Sequence, residues 1–190
     1  MDAEGASALT VRRLAGDLGV ESAALYWHFA SKDELCRAVV DTVGARLRVA
    51  TVTTGTARER LEHHFAAVRD HWRQHPSVLE LSRRYPPSAG GDVARAGLGL
   101  LEELGIGPSD TLDSYRSLSW TVTGFVILEQ NLESSVHHRR VGRTRWVLAV
   151  DDDAHTESSF DTDDLFQTTL TMALDGLERR RERRAPRRQG

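Results

Sequence analysis

Apolar residues recur along nearly the whole of this chain at the three- and four-residue spacing of an α-helix, and no stretch alternates convincingly as a strand. That property restricts the fold class to all-α. The clearest instance runs from Ala57 to His75, where Leu61, Phe65, Val68 and Trp72 fall at intervals of four, three and four and form one buried stripe. His75-Pro76 should end that helix, because the residue before a proline is pushed out of the helical region. Further helices are expected at about Ser77 to Arg84, stopped by Pro86 and Pro87, and at Asp92 to Leu104, closed by Gly105 and Gly107. Thr111 to Leu132 is the least polar helix, and Thr162 to Arg180 is the last. Glu133 to Phe160 reads as a long, irregular connection, and Arg179 to Arg188 reads as a frayed end.

Ahead of these lie three shorter helices. Thr10 caps one from about Val11 to Leu18, and Gly19 supplies the permissive backbone that ends it. A second runs from about Ser22 to Phe29. Ser31 caps a third, with Asp33 and Glu34 in the first turn, where the helix dipole favours them. The second is too short to stand alone, so Leu14, Leu18, Val20, Leu25 and Phe29 must hold it while its other face meets something else. Two short helices joined at Gly19-Val20 have the spacing of a helix-turn-helix. The aromatics and hydrogen-bond donors of Leu25-Tyr26-Trp27-His28-Phe29, followed by Ser31-Lys32, sharpen that reading towards double-stranded DNA. Each of Tyr26, Trp27 and His28 taken alone also reads as packing.

The run TVRRLAGDLGVESAALYWHFASKDELCRAVV, residues 10–40, resembles the DNA-binding region of the TetR family of bacterial regulators. The resemblance implies that the second helix lies in the major groove. By position, Arg12 would reach a base, its fork suiting guanine O6 and N7, although Arg13 beside it could be the contact instead. Ser22, Ala23 and Ala24 would open the recognition helix and approach the base edges closely. Tyr26, Trp27 and His28 would touch sugar-phosphate and thymine methyl groups, and Lys32 would hold a phosphate at a helix N-terminus. The family has a full helix before this motif, where this sequence has only MDAEGASA ahead of Leu9 and Thr10. That helix is therefore missing or the start is set too late, leaving Leu9, Leu14 and Leu18 partly bare, and weak DNA binding is expected until upstream residues are restored.

SYRSLSWTVTGFVILEQN, residues 114–131, is similar to the C-terminal domain of the same family, down to Leu128-Glu129-Gln130. The resemblance implies a DNA-binding domain over residues 1–45 and a ligand-binding and dimerisation domain over 46–190. It implies a homodimer paired through Thr111 to Leu132 and Thr162 to Arg180, although an ordinary intrachain core would bury the same residues. Dimerisation would set two recognition helices about 34–36 Å apart, one turn of DNA. Candidate pocket walls are Phe65, Trp72, Leu79, Arg83, Leu101, Trp120 and Thr123, which read equally as plain core. In tetracycline-responsive members, histidines and a glutamate hold a magnesium–drug complex. Here Leu47-Arg48 and Glu80 stand where those histidines align and only Glu129 persists, so the implied effector is a different, fairly apolar small molecule.

The function expected is a cytoplasmic, ligand-responsive repressor on a palindromic operator, with no cofactor, no catalytic residue and no metal site. His71 and His75 have metal-ligand spacing, but no cysteine or companion motif joins them. An enzyme built on the histidines and Asp151 to Asp153 would need a phosphate loop, nucleophile elbow or zinc motif, and none is found. A helical dimerisation module without DNA binding is the third reading. The net charge of −3 argues against nonspecific DNA coating, not against a reader with a local basic surface. The lone Cys36 forms no intrachain disulfide, and no run reaches the roughly 18 apolar residues of a membrane span.

Overall fold

The computed structural model describes residues 10–47, 52–86, 91–134, 144–151 and 154–184. Leu9, Arg48, Pro87 and the chain beyond Arg184 lie outside them. The described residues form eight helices and one hairpin, in order: α1 Val11–Leu18, α2 Ser22–His28, α3 Lys32–Arg46, α4 Ala57–Gln74, α5 Pro76–Ser82, α6 Asp92–Glu103, α7 Pro108–Ser134, β1 Thr144–Asp151, β2 Ala154–Phe160 and α8 Thr162–Arg184.

The helix ends are set by local chemistry. Thr10 accepts from the Arg13 amide at 3.1 Å, and Ser31 accepts from that of Glu34 at 3.2 Å. Thr56 and Glu59 close a reciprocal capping box at the start of α4. Gly19, at φ 67°, takes the left-handed conformation that ends α1. Proline at its first position starts α5 directly after His75, so α4 and α5 meet at a sharp joint.

Two cores result. In the head formed by α1, α2 and the start of α3, Ala15, Leu25 and Leu35 are buried. In the body, Leu61, Phe65, Val68 and Trp72 of α4 face Leu101 of α6, Leu118, Val122 and Val126 of α7, and Phe166, Leu170 and Leu174 of α8. Cys36 and Val40 of α3 belong to this larger cluster, so α3 is shared between head and body.

Some expectations need correction. Residues 133–160 are not an irregular connection throughout: α7 extends to Ser134, and β1 pairs antiparallel with β2, Thr144 opposite Phe160 and Ala149 opposite His155. The last helix continues through Arg184. Leu18 and Val20, expected to hold the head, are 59% and 44% exposed. Phe29 and α3 side chains including Leu35, Val39 and Val43 border an apolar groove of about 200 Å³.

One polar constellation lies inside the body. Arg69 on α4 is 5% exposed and donates to both Glu129 carboxylate oxygens on α7, at 3.2 and 2.5 Å. Its Nη2 also lies 2.8 Å from Asp163 at the start of α8, and its guanidinium sits over the rings of Phe125 and Phe166 at 5.5 and 4.6 Å. Burial works against the charge, but the hydrogen bonds and fields of Glu129 and Asp163 outweigh it and raise the Arg69 pKa. Arg69→Ala should cost about 3–5 kcal/mol in urea unfolding, because it strands Glu129 in the core. Arg69→Met combined with Glu129→Met should recover most of that loss; equal destabilisation of single and double variants would refute the account.

Candidate DNA-reading face and effector core

Helix α2 buries one residue and exposes all the others but Ser22. Leu25 is buried, while Tyr26 is 56% and Trp27 89% exposed, with His28 exposed beside them. An indole that open is rare in a chain with a core to fill, since aromatic area contributes strongly to packing. Ala23 and Ala24 are also exposed and Ser22 is half-buried, so the first turn presents small side chains. Lys32 stands exposed at the first position of α3, beside that helix's free amides. On α1 the two arginines differ: Arg13 lies 3.9 Å from Asp17, whereas Arg12 is exposed and forms no ion pair among the described residues. All eight residues expected to meet DNA thus belong to the head, and seven of them are exposed.

Head and body are tied at a second place. Tyr85, just after α5, donates its hydroxyl to Asp33 Oδ1 at 2.7 Å, next to Lys32. That hydrogen bond lowers the Asp33 pKa and raises that of Tyr85. Arg37 and Arg84 flank the Tyr85 ring at 5.5 and 5.4 Å. Sequence reasoning passed over Tyr85, since a tyrosine in a proline-flanked turn carries no periodic signal.

The expected pocket walls separate. Phe65, Leu79 and Leu101 are fully enclosed, Trp72 is 9% exposed and Thr123 is half-buried. Arg83 lies exposed in the turn after α5 and does not face that interior. Trp120 is a plain correction, at 76% exposed. The inward stripe of α7 runs through Leu118, Val122 and Val126, and at 100° per residue Trp120 points the other way.

The interior also holds a polar pair, His64 and Tyr115, which no sequence pattern brings together. His64 is 1% exposed, with Nε2 3.5 Å from the Tyr115 hydroxyl, and its Nδ1 has no hydrogen-bond partner among the described residues. Both rings pack on α6 at Gly97, where a Cβ would fall 2.4 Å from Tyr115 Cε2 and 2.8 Å from His64 Nε2. Phe65 completes the cluster, its ring centroid 5.0 Å from that of His64 and 5.8 Å from that of Tyr115. A buried polar atom without a partner costs about 1–3 kcal/mol, so the cluster is a polar weak point in an apolar core. Glu129 is engaged by Arg69 and lies 3.7 Å from Arg73, and Gln130 donates to the Trp72 carbonyl at 3.1 Å.

Residues 1–39 match the family model described as bacterial regulatory proteins, tetR family. Along most of its length the chain is similar to the class A tetracycline repressor of transposon 1721 from Escherichia coli, 29% identical, covering 93% of this chain and 84% of that protein. The crystal structure of BioQ from Mycobacterium smegmatis superposes with a TM-score of 0.69 at 27% identity, covering 90% of this chain and 87% of that one. ActR from Streptomyces coelicolor in complex with actinorhodin gives 0.71 at 25% identity, covering 93% and 90%. The first 39 residues thus match the tetR family model, and the chain as a whole is similar to regulators of that kind. Its helix-turn-helix is therefore that of a transcription regulator, and α4 to α8 form the helical domain typical of such regulators.

Burial sets a pH response in the body. It lowers the His64 pKa from 6.5 to about 4, so the folded state refuses a proton that the unfolded chain accepts between those values. Stability should therefore fall as pH drops from 6.5 towards 4, by up to about 3 kcal/mol. Burial lowers the His71 pKa as well, with the same sign. Urea midpoints measured across that range should flatten in His64→Leu; an unchanged slope would overturn the assignment.

Proposed function

We propose that this TetR-family regulator is a repressor that binds a palindromic operator as a homodimer and releases it when a small, fairly apolar molecule enters the body. The carrying observation is α2, which buries Leu25 and leaves Trp27 almost entirely open. Residues 1–45 act as the head and 46–190 as the body. Arg12 reads a base edge, Ser22, Ala23 and Ala24 allow close approach, and Tyr26, Trp27, His28 and Lys32 hold the backbone. BioQ has been crystallised with its natural double-stranded DNA operator, which supports the same use of this fold here.

Homodimerisation is supported by the outer faces of α7 and α8. Leu112, Trp120 and Leu128 recur every eight residues on α7, all exposed, and Leu165 and Met172 are exposed on α8. Gly124 and Gly176 lie on the same two helices, and a Cβ on either would meet nothing within 4 Å. A face of that kind suits a second copy of itself, with glycines admitting close backbone approach.

The effector centre is proposed around Phe65, Leu101 and Thr123, with His64 and Tyr115 as its polar groups. The complex of ActR with actinorhodin supports small-molecule recognition by this fold. Glu129 serves Arg69 and does not remain for a metal–drug complex.

Fluorescence anisotropy with palindromic duplexes from the gene's own upstream region tests the reading. Saturable binding is expected, weakened about tenfold or more by Trp27→Ala, with Arg12→Ala relaxing preference at one base pair by about 1–3 kcal/mol. Failure to bind any upstream duplex more tightly than random DNA would sink it. Light scattering on Trp120→Glu/Met172→Glu should show a monomer where the parent chain is a dimer; an unchanged mass would remove α7 and α8 from the interface.

A further inference from the structure

Helix α4 orients the body by its ion pairs. At its start Arg58 meets Asp175 and Glu178 of α8 at 2.7 and 2.6 Å, and Arg60 pairs with Glu103 of α6. At its other end lie Glu129, Asp163 and the joint to α5, which leads to the head. The first pole is thus the one away from the DNA-reading face. There, where α6 ends, α7 begins and α8 ends, a cavity of about 330 Å³ opens.

Its polar lining comes from two helices. Arg180, Arg181 and Arg184 reach it from α8, and Ser109, Asp110 and Ser114 from α7. Arg181 donates to the Leu104 carbonyl at 2.6 Å, which caps α6, and its other terminal nitrogen lies 3.7 Å from exposed Glu182. Arg180 and Arg184 share one carboxylate, Asp110, whose pKa the Arg184 hydrogen bond lowers. Three guanidinium groups against one carboxylate leave the lining with two positive charges in excess. Arginines near a helix C-terminus also complement its dipole, but that effect needs no cavity.

A second observation points the same way. Along α7, Thr111, Ser117, Ser119 and Thr121 each return their hydroxyl to a backbone carbonyl four residues back, at 2.8–3.0 Å. Ser114 is only 7% exposed, yet its hydroxyl makes no hydrogen bond among the described residues and the residue borders the cavity. The amide of Ser109, in the first turn of α7, has no intrahelical acceptor. Guanidinium forks, two hydroxyls and a helix N-terminus are more donors than the two oxygens of a carboxylate can use. They match the three terminal oxygens and double charge of a phosphoryl group.

We propose that this pole is a binding site for a small phosphomonoester, held by Arg180, Arg184, Ser109 and Ser114. The bound group would join the first turn of α7 to the last turns of α8. This site is separate from the effector core and from the head, so operator binding and phosphate binding can succeed or fail independently.

Isothermal titration of the full chain with inorganic phosphate and with glycerol 3-phosphate, at constant ionic strength, tests the proposal, with succinate as the carboxylate comparator. Saturable one-to-one binding of glycerol 3-phosphate is expected, weakened at least tenfold by Arg180→Ala/Arg184→Ala and several-fold by Ser114→Ala. Arg116→Ala, which removes an exposed α7 arginine outside the cavity, should bind as the parent does. Phosphate ³¹P line broadening reports the same site if any variant is poorly behaved in calorimetry. No saturable binding of either phosphate compound, equal binding by the double arginine variant, or succinate bound as tightly as glycerol 3-phosphate would each overturn the assignment.

Discussion

The body is organised around a buried cation, Arg69. Arg69 cannot lie among Phe125, Phe166 and the aliphatic core without a counter-charge, and Glu129 and Asp163 supply it from two other helices. The three helices are therefore fixed in register as well as packed. A purely apolar contact tolerates sliding; a bidentate pair flanked by two rings does not. The same arrangement decides the role of the one residue that the sequence comparison matched to a metal–drug ligand, Glu129. In this chain Glu129 is an internal counter-ion, and the neighbouring Gln130 is committed to the Trp72 carbonyl.

From that fixed body the chain reaches the head by short, stiff connections. Only His75 separates α4 from α5, and Tyr85 closes the far side of α5 onto Asp33. Helix α3 contributes Leu35 to the head's core and Cys36 and Val40 to that of the body, so one helix is packed on both sides. Among the described residues of the head, Ala15, Leu25 and Leu35 are the buried apolar ones, and Leu18 and Val20 are open. Burial of so few side chains contributes little stability of its own, which makes the contacts with the body important for holding α2 in place.

Much of this was legible in the sequence, and the failures have physical causes. The α4 stripe is buried at every position its spacing indicated, because a run of 18 residues fixes phase well. The capping residues Thr10 and Ser31 act locally and are read locally. Trp120 was misplaced because α7 is apolar on more than one face, and a helix of that kind gives no phase from composition alone. The hairpin was missed because TRWVLAVD and AHTESSF show no period-two alternation to betray a strand. The Arg69–Glu129 pair spans 60 residues, and His64 and Tyr115 are 51 apart, separations at which no local pattern operates.

Lys32 is the only lysine in the sequence, and it stands exposed at the start of α3. Apart from the α-amine at the chain terminus, amine-directed chemistry therefore has one side chain to find, beside the open faces of Tyr26 and Trp27. A dye coupled through an active ester would report from the head alone. A support activated for amine coupling would hold molecules by that same head, turning the body outward and burying the α2 face against the matrix. Immobilised in that way, the protein would look inert towards duplex DNA for a reason of orientation and not of affinity.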